Sequence, residues 1–95
     1  MTGGSPALGP VAQEMATRLQ AALAPTQLEV QDDSHLHAGH AGALEGGHFT
    51  VRLRSARFTG LSRVARHRLV YDSLGSLQAL GVHALALDTR TPDEA

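Results

Sequence analysis

Cysteine is absent from all 95 residues of the chain. That removes disulfides, thiol catalysis, CxxC redox chemistry and cysteine-rich zinc sites together. An iron–sulfur cluster on this chain would need thiolates from another molecule, because such clusters are normally held by cysteine. Lysine and tryptophan are also missing, and two Phe and one Tyr are the only aromatics, a poor supply for stacking nucleic-acid bases. No apolar run approaches the roughly 20 residues needed to cross a bilayer. The opening MTGGSPALGP has neither a basic n-region nor an apolar h-region, so no signal peptide is expected and the setting expected by default is cytoplasmic. The acids are scattered and no nucleophile–base pair stands out, so catalysis is not expected.

What is present fits one small domain. Hydrophobic content of 42% and charged content of 18% are those of an ordinary soluble globular chain. A chain of this length buries roughly 60–65% of the surface its unfolded form exposes, enough for one core without staples. The formal net charge of -1 hides an uneven distribution. All eight basic residues are arginine, and Arg52, Arg54, Arg57, Arg63, Arg66 and Arg68 follow one another with no acid between them.

Residues 1 to 9 are rich in Gly, Pro and Ser and read as a flexible tail, with the domain proper over 10–95. Pro10 suits the first turn of a helix. Val11, Met15, Leu19, Ala22 and Leu23 continue it as one apolar stripe, and Pro25 ends it. Leu28 and Val30 alternate with polar residues as a short strand, and HFTVRLRS alternates as a second, with Phe49, Val51 and Leu53 on one face. Between them lies a glycine-containing connection over 32–47, longer than most structureless loops in compact domains. RFTGLS turns the chain at Gly60, and Ser62 caps the next helix. Val64, His67, Val70, Tyr71, Leu74 and Leu77 read as its buried face, with Leu69 outside it. Gly75 breaks that helix, a short one follows to Gly81, and VHALAL reads as a third strand. Pro92 reads as opening a last helical turn. The expected order is α-β-β-α-α-β, with strands two and three parallel across a helical crossover. The expected fold is α+β, a small two-layer domain with a three-stranded mixed sheet.

Several of these stretches together resemble one family. The acidic-Ser loop DDSHLH, the strand and turn HFTVRLRSARFTGLS, the helix RHRLVY and the strand GVHALAL occur in the order found in BolA proteins, over roughly residues 14 to 92. The resemblance implies a fold like class II KH domains. It also implies a non-enzymatic protein that pairs with a monothiol glutaredoxin and shares a [2Fe–2S] cluster with it. The partner's cysteine and a bound glutathione would supply the thiolates. A histidine at the start of the last strand would be one ligand, which carries over to His83. A loop residue three positions after Ser34 would be the other, which carries over to His37, with His40 in reserve. The resemblance also brings a second function, transcriptional regulation through DNA. Alone, the protein is expected to be colourless and either monomeric or a weak homodimer.

The residues themselves leave alternatives open. Alternation puts His83 on the same side as Leu85 and Leu87, where it reads as a histidine hydrogen-bonded at the core's edge. The resemblance turns that reading toward a ligand, and neutral imidazole does bind iron. His35, His37 and His40 sit in a polar loop that reads equally as a solvated connector, or as a weak stand-alone site for Zn²⁺, Ni²⁺ or Cu²⁺. His35 reads as solvent-facing and His67 as partly buried. His48 falls on the polar side of the second strand, within reach of the cluster end. Arg63, Arg66 and Arg68 offer planar donors to phosphate, yet Arg66 and Arg68 lie about 160° apart on a helix of 3.6 residues per turn. No GXXG clamp accompanies them. A solvated basic face that docks an acidic partner explains the block as well as DNA does.

Overall fold

The computed structural model describes residues 9–34 and 47–95. Helix α1 (Pro10–Leu23) leads to strand β1 (Gln27–Asp32), and strand β2 (Gly47–Arg54) leads to a short 3-10 turn (Ala56–Phe58). Helix α2 (Arg63–Leu74), the single-turn helix α3 (Leu77–Leu80) and strand β3 (Val82–Arg90) complete the chain. The order is the α-β-β-α-α-β expected from the sequence.

Local chemistry sets the element ends. Pro10 occupies the first turn of α1. The Ser62 and Ser76 hydroxyls accept hydrogen bonds from the Ala65 and Ala79 backbone N–H groups, capping α2 and α3. Gly81, at φ 87°, ends α3 in the left-handed region that a side chain resists.

The sheet order is β1-β2-β3. β1 pairs antiparallel to β2, with Val30 opposite Val51, and β3 pairs parallel to β2, with Leu87 opposite Val51. The parallel pair requires a crossover, which α2 and α3 provide. Phe49, Val51 and Leu53 are buried, as their alternation predicts, in one core with Met15, Leu19, Leu23, Val70 and Leu74. Val11 lies at that core's margin. The same parity places His48, Thr50, Arg52 and Arg54 on the opposite, outer face of the sheet.

Three expectations need correction. The expected buried face of α2 holds for Val70, Leu74 and partly buried His67 but not for Val64 and Tyr71, which are 68% and 40% exposed. Val70 and Leu74 are fully buried, Leu69 packs against the core, and the Arg66 side chain is only 14% exposed. The helix is thus rotated so that Arg66, Leu69, Val70, Ser73 and Leu74 face inward. Second, residues after β3 form no helix; they make one turn closed by the Glu94 N–H on the Thr91 carbonyl. Third, the RFTGLS turn is more than a reversal, because Phe58 is fully buried. Beside it, buried Ser55 donates its hydroxyl to the Leu23 carbonyl at 2.6 Å and accepts the Arg57 N–H. This ties the end of α1 to the end of β2.

Phe58→Ala should lower unfolding stability by about 3–5 kcal/mol, the usual loss for a buried aromatic, read as a shifted midpoint in urea unfolding. A loss below about 1 kcal/mol would mean that this turn is not part of the core.

Candidate metal centre

β3 does not keep step with β2 at its start. Gly47 lies opposite Val82, but His48 lies opposite Ala84, so His83 is an extra residue inserted in β3. This is a β-bulge, which re-aims a side chain and shifts the alternation beyond it. Val82 is buried and Leu85 and Leu87 pack against the core, whereas His83 is exposed. The expectation that His83 shares a face with Leu85 and Leu87 is therefore overturned. The His83 ring lies 5.3 Å from the His48 ring, centroid to centroid, with the planes tilted by 47°.

The start of β2 is pinned from both sides. The Gly47 N–H donates to the Gly81 carbonyl at 2.8 Å, holding β2 to the turn that precedes β3. The Ser34 hydroxyl accepts the His48 N–H at 3.0 Å, while the Ser34 N–H donates to the Asp32 carboxylate. The Asp33 N–H donates to the His48 carbonyl at 2.7 Å, and the Asp33 carboxylate accepts from Thr50 and Gln31. Asp33 and Ser34 thereby tie the end of β1 to the start of β2. A Cβ on Gly47 would fall 2.5 Å from the Phe49 ring and 2.9 Å from the Ser34 hydroxyl. A side chain would force this junction apart.

His35, His37 and His40 lie outside the described residues, which end at Ser34 and resume at Gly47 on either side of that loop. The flanking residues are placed: Ser34 accepts the His48 N–H and Gly47 lies opposite Val82. His67 is partly buried, as expected, and lines a cleft with Arg63, Arg66 and the C-terminal half of β3, at the opposite end of that strand from His83. Among the described residues no group of three or more His, Asp or Glu is placed to hold a metal alone. Two adjacent imidazoles are nevertheless the donors a metal centre needs from a chain without thiolates, so the residues present fit a shared iron–sulfur centre. His48 was visible in the sequence as a polar-face residue. Its pairing with His83 was not, because that depends on the bulge.

The arginine block does not form one patch. Arg52 and Arg54 belong to the outer sheet face, where Arg52 donates to Gln31 and lies 3.6 Å from Glu29. Arg57 donates to the Ala22 carbonyl. Arg66 holds Glu94 through two parallel bonds of 2.6 and 2.9 Å, and also donates to the Leu61 and Thr89 carbonyls. Arg63 and Arg68 are exposed on α2. Of the three arginines expected to meet phosphate, one is therefore already engaged.

A three-stranded mixed sheet with helices on one face, in the order α-β-β-α-α-β, defines a small two-layer α+β domain. The chain belongs to the BolA family: the family model described as "BolA-like protein" matches residues 19–94. "BolA-like protein 1" of Homo sapiens is 44% identical over 91 residues, covering 96% of this chain and 65% of that protein. The chain thus spans a little under two thirds of the length of that relative. "DNA-binding transcriptional regulator BolA" of Escherichia coli (strain K12) is 42% identical over 84 residues, covering 88% of this chain and 78% of that protein. The solved BolA domain of SufE1 from Arabidopsis thaliana superposes with a TM-score of 0.81 at 44% identity, covering 94% of this chain and all of that one. No described helix is long and apolar enough to cross a membrane.

The engaged arginine gives a pH dependence. Arg66, then the Thr91 N–H, hold the Glu94 carboxyl at about 2, below its ordinary 4.5. A depressed carboxyl stabilises the fold when ionised, fully above about pH 4.5, and loses that contribution as pH falls toward about 2. The melting-temperature difference between wild type and Glu94→Gln should therefore shrink over this range and vanish at its lower end. A difference that stays constant to pH 2 would show that the Glu94 charge contributes nothing.

Proposed function

We propose that this protein is a non-enzymatic partner of a monothiol glutaredoxin, with which it co-ligates a [2Fe–2S] cluster for assembly, trafficking or iron regulation. The observation that carries this reading is the bulge that turns His83 out of the core and beside His48. A histidine meant only to cap the core would follow the strand's alternation; this one departs from it at the strand end that faces Gly47 and His48. Thiolates come from the partner's cysteine and from glutathione, since this chain has none. Imidazole can replace thiolate on one iron, as it does in Rieske centres, and this is the chemistry the chain would contribute. His83 serves as the strand-borne ligand, held by the double pinning of the β2 start. The second imidazole is His37, with His40 in reserve, or His48, whose ring already stands next to His83. The cytoplasm is the proposed setting, from the sequence reading alone.

Nucleic-acid regulation is the second reading, favoured by the exposure of Arg63 and Arg68 on α2 and by the name of the Escherichia coli relative. It is weakened by the engagement of Arg66 with Glu94 and by the placement of Arg52 on the outer sheet face, against Gln31 and Glu29. If phosphate contacts were the function, duplex binding would fall steeply with salt and would be lost on replacing Arg63, Arg66 and Arg68 together.

The purified chain should be colourless and, mixed with a cluster-loaded monothiol glutaredoxin and glutathione, should form a heterodimer with altered visible absorption. His83→Ala should abolish the new absorption while leaving the far-UV circular dichroism unchanged. Comparison of His37→Ala, His40→Ala and His48→Ala then identifies the second ligand as the variant with the next largest loss. A spectrum and complex untouched by His83→Ala would refute the cluster reading.

A further inference from the structure

The contact between Arg66 and Glu94 has the form of a binding site whose occupant is part of the same chain. Three donors converge on one carboxylate: Arg66 Nη1 reaches Glu94 Oε1 at 2.6 Å, Arg66 Nη2 reaches Oε2 at 2.9 Å, and the Thr91 backbone N–H reaches Oε1 at 2.9 Å. A guanidinium fork and a backbone N–H aimed at one anion are the donor set that recognises phosphate as well as carboxylate. Host and occupant differ in how firmly they are held. Arg66 is fixed by its donations to the Leu61 and Thr89 carbonyls and is 14% exposed, so the fork is preorganised without Glu94. The Glu94 side chain is 41% exposed and comes from a segment outside regular structure. Its backbone carbonyl is tethered by Arg54, which also takes the Thr91 carbonyl at 3.2 Å. The same carboxylate can therefore leave without unfolding the host.

The surroundings favour an incoming anion over water. Arg66 and Glu94 lie in a groove of about 700 Å³ that Arg63 and His67 of α2 and Arg90 of β3 also line. Asp88 is the other acidic side chain in that lining, and it is paired with Arg90 through bonds of 2.8 and 3.4 Å. Arg63 carries no such partner among the described residues and is exposed. Removing Glu94 leaves three arginine side chains, Arg63, Arg66 and Arg90, against one acidic side chain, Asp88.

We propose that Arg66, the Thr91 N–H and the flanking Arg63 form an anion site for a phosphate group, and that Glu94 closes it as an intramolecular competitor. The site is separate from the histidine pair and does not rest on the cluster reading. Closure by a tethered group lowers the apparent affinity by the fraction of molecules that are open, so deleting the competitor restores the intrinsic affinity. If Glu94 is seated nine times in ten, its removal tightens binding about tenfold.

The test titrates the full chain with inorganic pyrophosphate, following the Arg66 Nε and Thr91 amide NMR signals. Glu94→Ala should bind about tenfold more tightly than wild type, and adding Arg66→Gln should remove the gain. Glu94→Gln, which keeps the side-chain length, replaces Glu94→Ala if the latter does not fold. A parallel arm uses a short DNA duplex at fixed salt. A gain for both probes assigns the site to backbone phosphates, and a gain for pyrophosphate alone assigns it to small phosphates. No gain in a folded Glu94 variant, or a gain that survives Arg66→Gln, would overturn the proposal and leave the ion pair as a purely structural tie.

Discussion

Strand β2 is hydrogen-bonded along both edges, antiparallel to β1 and parallel to β3, and its inner residues Phe49, Val51 and Leu53 carry the middle of the core. Because side chains alternate strictly along a strand, fixing those three inward also fixes His48, Thr50, Arg52 and Arg54 outward. A slip of one residue would bury two arginines and expose three large apolar groups, at several kcal/mol. That penalty gives the outer face its composition. His48 and the outer arginines stand where they do because the core accepts no other register.

Against so strict a register, the bulge at His83 is the one place where the sheet breaks its own rule. Val82 must be inward and so must Leu85 and Leu87, which an unbroken alternation cannot satisfy, since 82 and 85 have opposite parity. One inserted residue reconciles them. His83 is that residue, and its ring is free of the core's parity while its backbone remains in the strand. Fixed backbone with an outward side chain is the combination a ligand needs if it is to meet a centre carried by another protein.

Most of the architecture was legible in the sequence because it rests on periodicity and punctuation. The alternation of β2, the stripe of α1, the serine caps and the glycine breaks all act locally, and the structure keeps each of them. What was not legible depends on tertiary choices. On α2, apolar and polar residues are spread around the wheel, so the expected face took in Val64 and Tyr71 along with Val70 and Leu74, of which only the last two are buried. Arg66 sets the rotation: its side chain is drawn inward by the Leu61 carbonyl and, from far along the chain, by the Thr89 carbonyl and Glu94. Phe58 was hidden for a similar reason, as a single aromatic in a turn carries no period. For the site, His83 was named from the family resemblance, and its proximity to His48 required the bulge, which no spacing rule announces.

The pairing of β2 with β3 also has a consequence for the order in which the molecule is made. Gly47 meets Val82 and Arg54 meets Arg90, with the 3-10 turn, α2 and α3 in the intervening chain. Contacts so far apart along the chain close slowly, after helices and local turns, because the loop entropy must be spent before the ladder returns it. The two rings near 5 Å apart come from opposite sides of that late-closing ladder. A nascent or partly unfolded chain carries each histidine but not the pair, so the paired imidazoles exist only on a molecule that has finished folding. A visiting metal-bearing partner that requires both rings would thereby distinguish mature copies from immature ones.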